Sequence, residues 1–245
     1  MKYAFLLFGV ALAFGAHAAD HAAAPANTLT AAQQREGWKL LFDGKSTAGW
    51  HRYNETTIGK AWKVDGDSLH LDTSQMKDGW QAPDGGDIVH DGAYANFDLR
   101  LEWKIATAGN SGVMFYVQEG KQYPYPWHTG IESQVLDNVA ADDAKYEKHR
   151  AGDLYDLIAA KPGTVRPANE WNRLEIVSDH GHLVEKLNGV VVLETTLWGA
   201  DWKRLVAGSK FRDMPGFGMF RSGKVALQDH GADVWFRNIM IRELK

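Results

Sequence analysis

Glu132, Gln134 and Asp137 stand within six residues of one another in the stretch Gly-Ile-Glu-Ser-Gln-Val-Leu-Asp-Asn at positions 130–138. Ile131, Val135 and Leu136 give that stretch the apolar content of a strand. A buried strand holds a carboxylate and an amide only where partner side chains, a substrate or a metal satisfy them. Strand alternation sets Glu132 and Gln134 on one face and Ile131, Ser133 and Val135 on the other. Glu132 is therefore the leading catalytic candidate, and Gln134 is a candidate for hydrogen bonding to substrate. Asp137 is one residue out of phase. A bulge would bring it round to the same face; capping a turn beside Asn138 is the alternative.

His230, in Gln228-Asp229-His230-Gly231, is the second candidate. It ends an apolar strand just before a glycine turn, and an imidazole suits proton transfer or metal ligation. Gln228 shares its face by alternation. The chain has no Cys, so any metal site would use nitrogen and oxygen donors. Glu132 and His230 are the pair available to a divalent ion. Lys104 and Glu102 lie on the polar face of Phe-Asp-Leu-Arg-Leu-Glu-Trp-Lys-Ile. They are candidates for the same site, with Lys104 as a cationic partner of Glu132; a solvated outer face is the plainer reading. Asn110 enters the next strand and can line a groove. Trp127, grouped with Tyr123, Tyr125 and His128, offers stacking surface or merely covers one end of the fold. Arg237 divides evenly between substrate contact and a structural ion pair. Asp156 is a weaker candidate. No phosphate loop, G-x-S-x-G elbow or HExxH motif is present.

These residues need a scaffold of short strands. Phe97, Leu99, Leu101, Trp103 and Ile105 alternate with polar residues, as in an antiparallel strand with one apolar face. Asp65-Gly66, Gly181 and Asn188-Gly189 mark tight turns between strand-like runs. About twelve such runs occur, with no long amphipathic helix and no βαβ rhythm, which predicts an all-β, two-sheet antiparallel jelly-roll sandwich. The 245 residues suit one domain over 37–245. Ten Trp, ten Phe and eight Tyr favour strands and can line a sugar-binding groove.

Residues 1–18 carry Lys2, an apolar run over 4–15, and Ala16-His17-Ala18 as a small-x-small cleavage site. This is the pattern of a secretory signal peptide. The run is shorter than the roughly 20 residues of a membrane span. Residues 19–36 read as a flexible leader with a short helical turn near Thr30. Export to a bacterial periplasm follows as the expectation. The formal net charge of −4 argues against nucleic-acid partners, and no nucleotide or organic cofactor is expected.

Five motifs in order carry a resemblance: WKLLFDGKSTAGW; FDLRLEWKI with TAGNSGV; GIESQVLDN; EWNRLEIV with VEKLNGVVV; and KVALQDHGADVWFRNIMIREL. Together they resemble the family of 3-keto-disaccharide hydrolases, described as 3-keto-glycoside 1,2-lyases and 2-hydroxy-glucal hydratases. The resemblance covers roughly 37–245, nearly the whole chain that would remain after signal cleavage. It implies a concanavalin-like or laminin-G-like jelly roll with a concave-sheet site and an oxidised sugar as substrate. The implied reaction is removal of the C2 proton, acidified by the C3 ketone, then loss of the C1 aglycone and hydration. That chemistry needs a base, an enolate stabiliser and an acid, and a divalent cation can take the stabilising part. Two rivals stay open. One is a non-catalytic carbohydrate-binding sandwich. The other is a conventional glycoside hydrolase with two carboxylates.

Overall fold

The computed structural model describes residues 25–245, so the expected signal peptide at 1–18 lies outside the described residues. Among the described residues the chain forms thirteen strands. In order they are β1 Lys39–Leu40, β2 Trp50–Arg52, β3 Trp62–Asp65, β4 Ser68–Leu71, β5 Ile88–Tyr94, β6 Phe97–Ile105, β7 Asn110–Val117, β8 Ile131–Leu136, β9 Asn172–Asp179, β10 His182–Leu187, β11 Val190–Thr196, β12 Gly223–Leu227 and β13 Val234–Glu243. Two short α-helices, α1 Ala31–Arg35 and α2 Ala200–Ala207, and two 3-10 turns, Pro126–His128 and Asp142–Lys145, complete the regular structure among the described residues.

The strands make the expected two-sheet antiparallel sandwich. The eight-stranded sheet runs β11-β10-β9-β6-β13-β4-β3, with β1 paired to β13; the five-stranded sheet runs β2-β5-β12-β7-β8. Turn chemistry fixes several registers. His180-Gly181 and Asn188-Gly189 both hold paired positive φ angles, the backbone that two-residue hairpin loops require. The first joins β9 to β10 and the second joins β10 to β11.

The core lies between the sheets. From β6 come Phe97, Leu99, Leu101, Trp103 and Ile105, and from β8 Ile131 and Val135, all fully or nearly fully buried. The inward face of β8 is thus the apolar one, which leaves the Glu132 face to look outward from the five-stranded sheet. Val89, Met114, Val117 and Ala226 form a small apolar floor of their own, covered in part by Tyr53 and Trp127. Because Glu132 pairs with Met114 across β7 and β8, and Met114 with Ala226, Glu132 sits at the edge of this second floor.

The structure corrects the leader. From Asn27 onward the chain is tied down: the Asn27 backbone N–H donates to Asn238 Oδ1 at 2.6 Å, and its side-chain amide donates to the Asp67 carbonyl at 2.7 Å. Asn238 sits at the change of register in β13 with φ +52°. That is the bulge implied by the break in apolar phase between Phe236 and Ile239. Thr30 then caps α1 with a full capping box to Gln33. β5 also runs longer than its sequence suggests, because its exposed Asp91 and Ala93 alternate with Gly92 rather than with a large apolar residue.

Candidate active site

A cavity of about 370 Å³ opens on the outward face of the five-stranded sheet, at the β8 edge. Its wall is made by Asn110, Glu132 and Gln134 from the sheet, by Gln228 just past the end of β12, and by Trp80, Trp127, Tyr155, Lys210, Phe211, Met214 and His230 from the connecting segments. Six sequence candidates meet here: Glu132, Gln134, Asn110, Gln228, Trp127 and His230.

Glu132 is 5% exposed and its carboxylate has no hydrogen bond among the described residues. Burial pushes its pKa up to about 8; the Lys210 cation partly offsets that rise, and the Asp143 carboxylate adds to it. The same burial lowers the Lys210 ammonium, against the pull of Glu132, Asp156 and Asp143. The two groups therefore titrate as a pair. Gly112 leaves room for the acid: a Cβ there would collide with Glu132 Oε1. This glycine is needed for close approach, not for an unusual backbone angle.

Lys210 reaches the cavity from the loop after α2. Its backbone N–H donates to Asp156 Oδ2 at 2.7 Å, and its Nζ lies 3.9 Å from the Tyr155 ring centroid. Asp156 itself sits at φ +60°, a backbone strain that its two carboxylate contacts hold in place. Its other oxygen faces His149 Nε2 at 3.3 Å. Asp143 backs the same wall, accepting from Asn110 Nδ2 at 3.2 Å and from the Tyr155 hydroxyl at 3.4 Å. Burial raises the Tyr155 hydroxyl pKa, so it stays protonated.

Two acceptors on the floor have no partner. Gln134 donates its amide to Asn110 Oδ1 and to the His149 carbonyl, yet its Oε1 is buried and unpaired, as is Oε1 of Gln228. An unpaired buried acceptor costs about 1–3 kcal/mol. Both amides are therefore set to accept from a hydroxyl-bearing ligand. Next to Gln228, Asp229 is fully buried and accepts from the backbone N–H groups of Ala82, Gly86 and Gly231 at 2.7–2.9 Å. This clamp fastens the 80–87 loop to the end of β12 and brings Trp80 within 6.0 Å of the His230 ring centroid.

Four candidates lie elsewhere. Lys104, Glu102 and Arg237 are on the outer face of the eight-stranded sheet. Lys104 Nζ sits over Trp235 at 4.3 Å and Trp171 at 5.3 Å, and Arg237 pairs with Glu102 at 2.8 Å and Asp67 at 3.0 Å. β6 alternates as expected, but it lies in the sheet opposite β8, so its polar face looks away from Glu132. Asp137 caps a turn, accepting from the N–H groups of Ala108 at 2.8 Å and Val139 at 3.0 Å. For a metal, Glu132 and His230 share the cavity. Among the described residues, however, no group of three or more His, Asp or Glu side chains is arranged to hold an ion.

Sequence reasoning missed Lys210, Tyr155, Phe211, Met214 and Trp80. They come from irregular loops, where no periodicity assigns a face. Trp80, a large ring in a Gly/Asp-rich loop, carried the one usable signal.

A profile of the 3-keto-alpha-glucoside-1,2-lyase-like domain matches residues 37–242. A 3-keto-disaccharide hydrolase of Bacteroides thetaiotaomicron is 33% identical over 91% of this chain and 83% of its own length. Among solved structures, a candidate glycosyl hydrolase from Parabacteroides distasonis superposes with TM-score 0.80 at 30% identity, covering 90% of this chain and all of that one. A second candidate glycosyl hydrolase from the same organism gives TM-score 0.62 at 26% identity, covering 84% of this chain and 99% of that one. The chain belongs to the 3-keto-alpha-glucoside-1,2-lyase-like family of carbohydrate-active enzymes.

Proposed function

We propose that this protein is an exported enzyme that cleaves 3-keto-glycosides by elimination across C1–C2 and then hydrates the product. The observation that carries this reading is Glu132: an unpaired, buried carboxyl with a pKa near 8 and a cation close by, on the floor of a sugar-sized cavity. A base with that pKa is matched to taking a proton made acidic by a neighbouring ketone.

In the proposed mechanism Glu132 takes the C2 proton, and the C2–H electrons form the enolate at C2–C3. The Lys210 ammonium stabilises the negative oxygen at C3. The enolate collapses, the C3 ketone returns, the C1–O bond breaks and a C1–C2 double bond forms. His230, at the mouth, gives a proton to the departing oxygen. Hydration reverses these parts: His230 takes a proton from water, the hydroxide adds at C1, and protonated Glu132 returns its proton to C2. Both residues finish as they began. Gln134 and Gln228 accept from sugar hydroxyls and hold the ring.

Two observations weigh against the rivals. Glu132 is the sole acid lining the cavity among the described residues, whereas conventional glycoside hydrolysis needs two carboxyl groups flanking the bond. A binding module has no use for a buried carboxyl that stands beside a lysine without a hydrogen-bond partner among the described residues. Export rests on the signal-like pattern at 1–18. Among the described residues no helix is long and apolar enough to cross a membrane, which says nothing of a β-barrel.

The test is aglycone release from a 3-keto-glucoside and from its unoxidised parent, with and without a chelator. Cleavage of the keto substrate alone is expected. Equal cleavage of both would point to the conventional hydrolase, and binding without turnover to the module. Loss of activity with chelator, restored by one metal, would add an ion to the mechanism.

A further inference from the structure

The cavity has two ends of different chemistry. At the floor, Glu132, Gln134 and Gln228 are each under 7% exposed. At the mouth stand rings: Trp80 is 42% exposed and Tyr125 is 41% exposed. Tyr125 stacks parallel to Trp127 at 4.4 Å and 5°. Trp80 meets both edge-on, at 6.0 and 5.6 Å with interplanar angles near 70°, and meets His230 the same way. Among the described residues no ring lies parallel to Trp80. Large exposed apolar side chains gathered at one place mark a contact surface, and holding them there takes the Asp229 clamp described above.

We propose that this mouth is a leaving-group subsite for flat aromatic aglycones, with Trp80 as the stacking platform and the Tyr125-Trp127 pair as its side wall. The proposal rests on the 3-keto-glycoside reading and adds the substrate class. The oxidised sugar occupies the polar floor, where its hydroxyls meet the unpaired amide oxygens. Its C1 oxygen then points past His230 toward the rings. A second sugar there would bring several hydroxyls to a mouth formed largely of ring faces. An aryl ring brings none and stacks on a face that no other ring covers. The bond broken is C1–O, and the departing phenolate takes its proton from His230, so the step balances without a further reactant.

The experiment compares kcat/KM for phenyl, methyl and disaccharide 3-keto-glucosides in wild type, Trp80→Ala and Trp80→Phe. The expected result is that Trp80→Ala lowers the phenyl-to-methyl ratio at least tenfold, leaves the disaccharide-to-methyl ratio within threefold, and that Trp80→Phe restores most of the phenyl preference. An equal fall for the disaccharide makes the platform a sugar subsite and overturns the proposal. An unchanged phenyl-to-methyl ratio overturns it as well. If wild type turns over no keto substrate, the 3-keto reading itself has failed. Ligand-induced tryptophan fluorescence change with phenyl and methyl glucosides then reads the platform alone, and equal affinity for the two overturns it.

Discussion

Glu132, carried by β8, and Glu185, carried by β10 of the facing sheet, lie on opposite sides of β8, and only Glu132 opens on a cavity. Glu132 points outward from β8. Glu185, on β10 of the facing sheet, accepts a hydrogen bond from Ser133 at 2.7 Å across the core. Burial lifts both carboxyls to about 8. They differ in access and company. Glu132 opens on a cavity and feels the Lys210 cation. Glu185 is sealed at 0% exposure, with one oxygen on Ser133 and the other unpaired. A shifted pKa is therefore a weak sign of chemistry when it stands alone. What singles out Glu132 is the shift together with a cavity and a neighbouring cation.

The largest difference should appear on neutralising each acid. Glu132→Gln should lower kcat by about 10³-fold or more, with thermal stability kept or raised. Glu185→Gln should leave kcat within twofold. A large loss of turnover in the Glu185 variant would break the contrast.

Next in size come two residues beside Glu132, Lys210 and Gly112. Lys210→Met should cost about 10²-fold in kcat, the usual effect of losing one charge-stabilising donor. Gly112→Ala should cost roughly 10-fold or more by displacing the Glu132 carboxylate, with a smaller change in melting temperature. Steady-state kinetics beside thermal unfolding separates the two effects.

Stability against pH sharpens the contrast from the other side. Glu185 has a folded pKa of about 8, above its unfolded value of about 4.3. The folded state binds more protons, so this contribution is fully present below pH 4.3 and is lost as pH rises through 8. Glu185→Gln should remove that decline, making the variant roughly 3–5 kcal/mol more stable than wild type at pH 9. Denaturant unfolding at pH 5 and 9 measures it, and parallel pH slopes in the two proteins would contradict it. Activity has the opposite sign: kcat/KM should rise with pH up to about 8 as the Glu132 base form appears. The smallest effect belongs to Lys104→Ala, which should change turnover less than twofold because Lys104 lies on the far sheet over Trp235.

The sequence carried the strands and the shared face of Glu132 and Gln134 on β8 because both follow from a period of two. It also carried the β13 bulge, through the lost phase between Phe236 and Ile239. It did not say which sheet each strand joins. Alternation alone therefore offers Lys104 and Glu102 to the site of Glu132, although β6 pairs with β9 and β13 on the other side of the core. Loop residues were harder still. Lys210 is delivered by a backbone bond to Asp156, fifty-four positions earlier, and no local pattern announces such a contact. Asp156 anchors that loop.

The account depends on Glu132 breaking the C2–H bond. Its most direct test is aglycone release from a 3-keto-glucoside bearing hydrogen or deuterium at C2, measured for wild type, Glu132→Gln and Glu185→Gln at pH 8. The account predicts a primary isotope effect in wild type and in Glu185→Gln, with release in Glu132→Gln slower by about three orders of magnitude. Wild-type rates in Glu132→Gln would contradict it.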